Sequence, residues 1–211
     1  MDKEMKVVVG VVVACIVLFV AGAMWYNSAT KPVVVDASRL VRELSPKIEV
    51  PGAKVTIVEF ADFECPGCAG MHPVLKKILT DYSGKINFVY RTLPVHRDSS
   101  LAATFALAAG EQGKYWQMHD MLYDNQSVWA GKEKPPRDLF LGYAKELKLD
   151  IVKLEKSLSD SHLEAQVNAD RDDALKLGVR GTPTIFINGS MLKGVPSDGE
   201  LRARIDEILA Q

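Results

Sequence analysis

Cys65-Pro66-Gly67-Cys68 is the group of side chains in this chain most suited to chemistry. It follows a β-branched run, Val55-Thr56-Ile57-Val58-Glu59-Phe60, and heads a helical pattern marked by Met71, Leu75, Ile78 and Tyr82. A strand that feeds a helix with two cysteines in its first turn is an arrangement that makes a reactive thiolate. Unpaired N–H groups and the partial positive charge of a helix N-terminus both stabilise S⁻ at the first cysteine. Pro66 fits the first helical position, where its missing N–H costs nothing. Two intervening residues let the second thiol reach the first and close a small disulfide ring. The spacing therefore predicts a dithiol/disulfide redox site.

Two blander roles for these cysteines are weaker. A structural bridge closing so short a loop restrains little of the unfolded chain. A zinc knuckle needs about four ligands; the only other cysteine is Cys15, in an apolar segment, and even with His72 the set is one ligand short. No metal is expected here, and no cofactor, because the sulfurs themselves carry the electrons.

The elements that must position this pair can be read along the rest of the chain. Ile86 to Arg91 reads as a second strand, followed by a helical stretch marked by Leu101, Phe105 and Ala108, then by Tyr115, Met118, His119 and Leu122, then by Leu139, Tyr143, Ala144 and Leu147. Asp150 can cap a short helix carrying Ile151, Leu154 and Leu158, and Ser161-His162-Leu163-Glu164 reads as a capping box opening another. Thr184 to Ile187 is a strand, and Asn188-Gly189 predicts a tight hairpin into Ser190 to Lys193. Ser197-Asp198-Gly199-Glu200 is a second capping box. The order β-α-β, helical block, α-β-β-α describes one α/β domain with an all-helical insertion at about 98–160.

Of the 211 residues 47% are hydrophobic and the formal net charge is −1, which gives no basis for a nucleic-acid partner. Val7 to Ala23 is free of charge and followed by Trp25 and Tyr26, about the length of a single transmembrane helix. An uncleaved anchor is the first reading; a signal peptide cleaved after Ala21-Gly22-Ala23 is the alternative. Val12-Val13-Ala14-Cys15 has the look of a lipoprotein box, but apolar residues continue past Cys15, which favours a thiol within a membrane helix. Residues 1–26 are then a cytoplasmic stub and anchor, 27–51 a tether with one short helix near Ser38–Leu44, and 52–211 the soluble domain. That domain carries only the two motif cysteines, so no stray thiol can mispair in an oxidising compartment.

The order of elements, the stretch from Val55 to Cys68 and the stretch Gly178-Val179-Arg180-Gly181-Thr182-Pro183-Thr184 resemble the thioredoxin fold. The helical insertion points to its DsbA-like branch of thiol:disulfide oxidoreductases, most of all the membrane-anchored bacterial type. The resemblance runs from about Val55 to the C-terminus. It implies that Cys65 is the nucleophile and Cys68 the buried resolving partner. It also implies that Pro183 is a cis-proline facing the pair, with the Thr182 backbone able to hold an extended substrate. The family places a buried acid where Glu59 stands, able to exchange a proton with Cys68 through water; a solvated glutamate near a strand end is the plain alternative. His72, His96 and His119 read as structural or surface positions, Trp116 and Trp129 as core or interface, and Pro73 as a kink in its helix. Pro66 and Gly67 supply no imidazole beside Cys65, which implies a less oxidising disulfide than in members with histidine there.

These readings imply a monomeric extracytoplasmic oxidase that donates its disulfide to cysteine-containing exported proteins and is renewed by a membrane redox partner. A reductase or isomerase of the same fold is the alternative, and a membrane-tethered peptide-binding or chaperone module is the third.

Overall fold

The computed structural model describes residues 12–22 and 34–211. The chain divides at Val34 into two units, each described separately here. In the first, residues 12–22 are helical and exposed. Among the described residues no helix is long and apolar enough to cross a membrane; the remainder of the expected span, 7–11 and Ala23, lies outside the described residues, as do 27–33 of the expected tether.

In the second unit the chain runs α1 (Ala37–Leu40), β1 (Lys47–Ile48), β2 (Val55–Ala61), α2 (Pro66–Asp81), β3 (Ile86–Thr92), α3 (Ser99–Gly110), α4 (Tyr115–Asp124), α5 (Gln126–Trp129), α6 (Arg137–Glu146), α7 (Ile151–Ser159), α8 (Ser161–Lys176), β4 (Thr184–Ile187), β5 (Ser190–Met191) and α9 (Asp198–Leu209). The five strands lie in the order β1-β3-β2-β4-β5. β2 is parallel to β3, with Glu59 opposite Tyr90, and antiparallel to β4, with Glu59 opposite Ile185.

Because strand side chains alternate, β2 feeds two cores. Ile57 and Ala61 pack with Phe63, Cys68, Met71 and Tyr90 on one face, while Val58 and Phe60 pack with Leu40, Val89, Val179 and Phe186 on the other. Glu59 shares the face of Ile57 and Ala61, so the period of two directs its carboxyl toward the face on which α2 packs. A strand covered on both sides explains the nearly continuous apolar run in its sequence.

From Val34 onward the expected tether is instead part of the domain. Leu40 is buried, β1 pairs with β3, and the Tyr90 amide donates to the Pro46 carbonyl at 2.9 Å. The cause is Arg91, a fully buried cation that sequence periodicity places in a strand without assigning it partners. It donates to Asp170 and Asp173 of α8 at 2.7 Å each and to the Leu40 carbonyl at 2.6 Å. A buried guanidinium must be satisfied on all sides, and the segment before β2 supplies one of them.

Helix α2 runs through Pro73. Other local departures are small. Helix α8 is capped by Asp160, which accepts from the His162 amide, rather than by a Ser161 capping box. Four-residue α5 has no signal in the periodicity. The Ser197–Glu200 capping box and the Asn188-Gly189 hairpin both form. Asn188 and Gly189 have φ of 45° and 83°, and a side chain at Gly189 would collide with the Val35 carbonyl, whose own amide donates to Gly189 at 2.8 Å.

Candidate functional site

Four residues separate β2 from α2, and each is fastened. Asp62 is wholly buried: one carboxylate oxygen accepts from the Glu64 amide at 2.8 Å and from the Ser99 hydroxyl, the other from the Val95 amide at 2.8 Å. His96 Nδ1 lies 2.7 Å from that second oxygen. Glu64 accepts from the amides of Asp98 at 2.7 Å and Gly131 at 3.0 Å. Gln126, at the start of α5, donates through Nε2 to the carbonyls of Phe63 at 2.8 Å and Cys65 at 3.0 Å. The helical insertion thus grips the backbone that presents the cysteines.

Cys65 is the N-cap of α2, in extended conformation, with Pro66 as the first helical residue. Its Sγ lies 3.4 Å from the Thr182 carbonyl, to which the thiol donates. Cys68 is completely buried and its Sγ accepts from the Asp62 amide at 3.5 Å. Both thiols are free in this structure. Burial, with Glu59 adding to it, pushes the Cys68 thiol well above its ordinary range.

The Thr182–Pro183 bond is cis and Pro183 faces the motif. A Cβ on Gly67 would come within 3.2 Å of Pro183 Cδ and 3.6 Å of Cys65 Sγ. Glycine at 67 therefore lets the Pro183 loop close down on the first turn of α2. The structure brings together Cys65, Pro66, Gly67, Cys68, Thr182 and Pro183 from two distant parts of the chain.

Glu59 is 3% exposed, and burial alone pushes its carboxyl up to about 8. It borders a cavity of about 410 Å³ whose wall also includes His72, Leu75, Lys76, Trp116, His119 and Asp120. His72 and His119 are both buried inside an aromatic cluster with Tyr123, and burial lowers both imidazoles from the usual histidine range. Trp129 is in the core with its indole N–H on the Leu122 carbonyl at 3.0 Å, and Lys134 pairs with Asp138 in an exposed contact.

A thioredoxin family model matches residues 49–207. The chain belongs to the thioredoxin family. A Na(+)/H(+) antiporter NhaA 1 of Salinispora arenicola is 40% identical over 161 residues, which are 75% of this chain and 24% of that protein. The chain thus spans about a quarter of that relative. A probable disulfide bond formation protein D of Bacillus cereus is 28% identical over 217 residues, covering 99% of each. The oxidised crystal structure of BdbD from Bacillus subtilis superposes with a TM-score of 0.75 at 25% identity, covering 86% of this chain and 100% of that one.

Within this thioredoxin fold the residues that sequence reasoning missed are Asp62, Glu64 and Gln126. Asp62 and Glu64 flank Phe63 just before the first cysteine, and two acids in an apolar stretch are a signal of burial with partners. Gln126 gives no such signal. Gln126→Ala should lower stability by about 1–3 kcal/mol, because the buried Phe63 carbonyl loses its donor, while the Cys65 carbonyl keeps the Cys68 and Ala69 amides. The urea midpoint of the folded chain checks this; an unmoved midpoint would show that water replaces the amide at no cost.

Proposed function

We propose that this chain catalyses dithiol–disulfide exchange as an extracytoplasmic disulfide oxidase, with Cys65 as the attacked sulfur. The observation that carries the reading is the asymmetry of the pair: Cys65 at the helix N-terminus under the Thr182 carbonyl, Cys68 sealed beneath it. In the oxidised protein a substrate thiolate attacks Cys65 Sγ, the Cys65–Cys68 bond breaks, and its electron pair leaves on Cys68. A buried thiolate is costly, so Cys68 must take up a proton. Glu59, protonated at neutral pH by its own burial, supplies it through water. A second substrate thiolate then attacks the substrate sulfur of the mixed disulfide. Cys65 leaves as the thiolate, which the α2 N-terminus stabilises. The substrate has lost two electrons and the Cys65–Cys68 pair has gained them.

Thr182 and Pro183 hold the substrate backbone in extended form beside Cys65, since proline has no N–H to compete for it. Substrates are cysteine-containing exported proteins, and a membrane redox partner returns the pair to the disulfide. Residues 1–26 serve as a single-pass anchor in the bacterial cell membrane, with the domain outside the cytoplasm. The uninterrupted apolar run from Val7 to Ala23 supports this placement.

Equilibration with glutathione buffers tests the direction of electron flow. A reduction potential toward the strong-oxidant end, about −120 mV, is expected. A value near about −270 mV would reverse the reading to a reductase. Gly67 favours that second reading, because it places no imidazole beside the Cys65 sulfur.

A further inference from the structure

The two histidines in the wall of the Glu59 cavity have no role in dithiol exchange, yet they are among the most unusually placed polar groups in the domain. His72, from the first half of α2, and His119, from α4, stack edge to face with ring centroids 5.2 Å apart. They are 8% and 4% exposed, and Nε2 of each is buried without a hydrogen-bond partner. A buried imidazole nitrogen left unpaired is disfavoured unless something is bound there, and of the two it is His72 Nε2 that faces Asp120.

Asp120, next to His119 on α4, completes the group. Its Oδ1 lies 3.6 Å from His72 Nε2 and 3.3 Å from His119 Nδ1. One ligand atom from each of the three residues can be chosen so that all lie within 4.8 Å of one another. Atoms bound at zinc distances in a tetrahedral site stand about 3.4 Å apart, which is the spacing seen around Oδ1. The other oxygen of Asp120 is held by Lys76 Nζ at 2.6 Å, the kind of second contact that aims a ligating carboxylate. The Lys76 charge opposes a cation, and Asp124, whose Oδ1 is 3.7 Å from His72 Nε2, offsets it.

We propose that His72, His119 and Asp120 form a binding site for one divalent transition-metal ion of the zinc type, set in the wall of the cavity that borders Glu59. Two imidazoles and one carboxylate suit zinc and leave its fourth position for water in the cavity. The site uses neither cysteine. It ties α2, which carries the dithiol, to the helical insertion, so binding stabilises the folded state by mass action.

Zinc chloride titrated calorimetrically into the full chain in detergent tests this, with Cys65 and Cys68 joined as the disulfide so that neither offers a thiolate. About one ion per chain is expected, with a rise in melting temperature. His72→Gln and Asp120→Asn should each weaken binding at least about tenfold and remove most of the melting shift. Asp120 is about one-third exposed, so its substitution tests the site even if the buried His72 variant fails to fold. Absence of zinc uptake, or uptake whose affinity Asp120→Asn leaves unchanged, overturns the proposal.

Discussion

Cys65→Ala is expected to reduce disulfide transfer to the rate of the buffer alone, because no other sulfur in the domain can take Cys65's place. Cys68 is completely buried, and burial holds its thiol protonated far above neutral pH. It therefore cannot serve as a substitute nucleophile. Cys68→Ala should behave differently. It keeps Cys65 at the helix N-terminus but cannot form the disulfide that is donated. When its Cys65 thiolate attacks a substrate disulfide and displaces one substrate thiolate, no Cys68 remains to release the other, so Cys65 should accumulate as a mixed disulfide with substrate. Mass spectrometry of the trapped adduct distinguishes the two variants. Full activity in Cys65→Ala would eliminate the mechanism, and a Cys65→Ser/Cys68→Ser protein that still restored function in cells would mean that the groove binds peptides without turnover.

Glu59→Gln should produce the largest change in how stability depends on pH. In the unfolded chain a glutamate ionises near 4.5, whereas in the fold burial holds the proton to about 8. Between those values the native state keeps a proton that the unfolded chain has lost. The contribution of Glu59 to stability is therefore most favourable below 4.5, falls as the pH rises, and reaches its full deficit above about 8. The gap corresponds to about 4–5 kcal/mol as an order of magnitude, or a melting-temperature difference on the order of 10 °C for a domain of this size. With the cysteines oxidised, the wild-type melting temperature should decline from pH 5 to pH 9. Glu59→Gln, neutral throughout, should decline much less and melt above wild type at pH 9. Parallel pH profiles for the two proteins would show that the carboxyl is hydrated through the cavity. The same substitution should slow exchange at Cys68 by about 10²-fold or more if the carboxyl moves its proton.

These two predictions draw on information of different kinds, and the difference is instructive. The dithiol was legible because its chemistry is local. The spacing of Cys65 and Cys68, Pro66 at the first helical position and the strand before them are all contained in a short window of sequence. The hairpin at Asn188-Gly189 was legible for the same reason, since positive φ is a property of the residue itself. Pro183 was reached only through family resemblance, because a proline by itself carries no sign of which distant segment it faces.

Sequence by itself thus determined the reactive pair and the order of elements that defines the thioredoxin fold; the burial of Glu59 on the face that α2 covers came from the packing of that helix on the sheet. Tertiary structure alone decided what surrounds them. Arg91 drew residues 34–51 into the domain because a buried cation must find oxygen acceptors wherever the chain can supply them. Gln126 and Asp62 fixed the cysteine loop through partners more than thirty residues away. His72 and His119 were brought together edge to face by the packing of α2 against α4. Helical periodicity states which side of each helix is apolar, but the partner that meets that side is chosen by the packing of the whole chain.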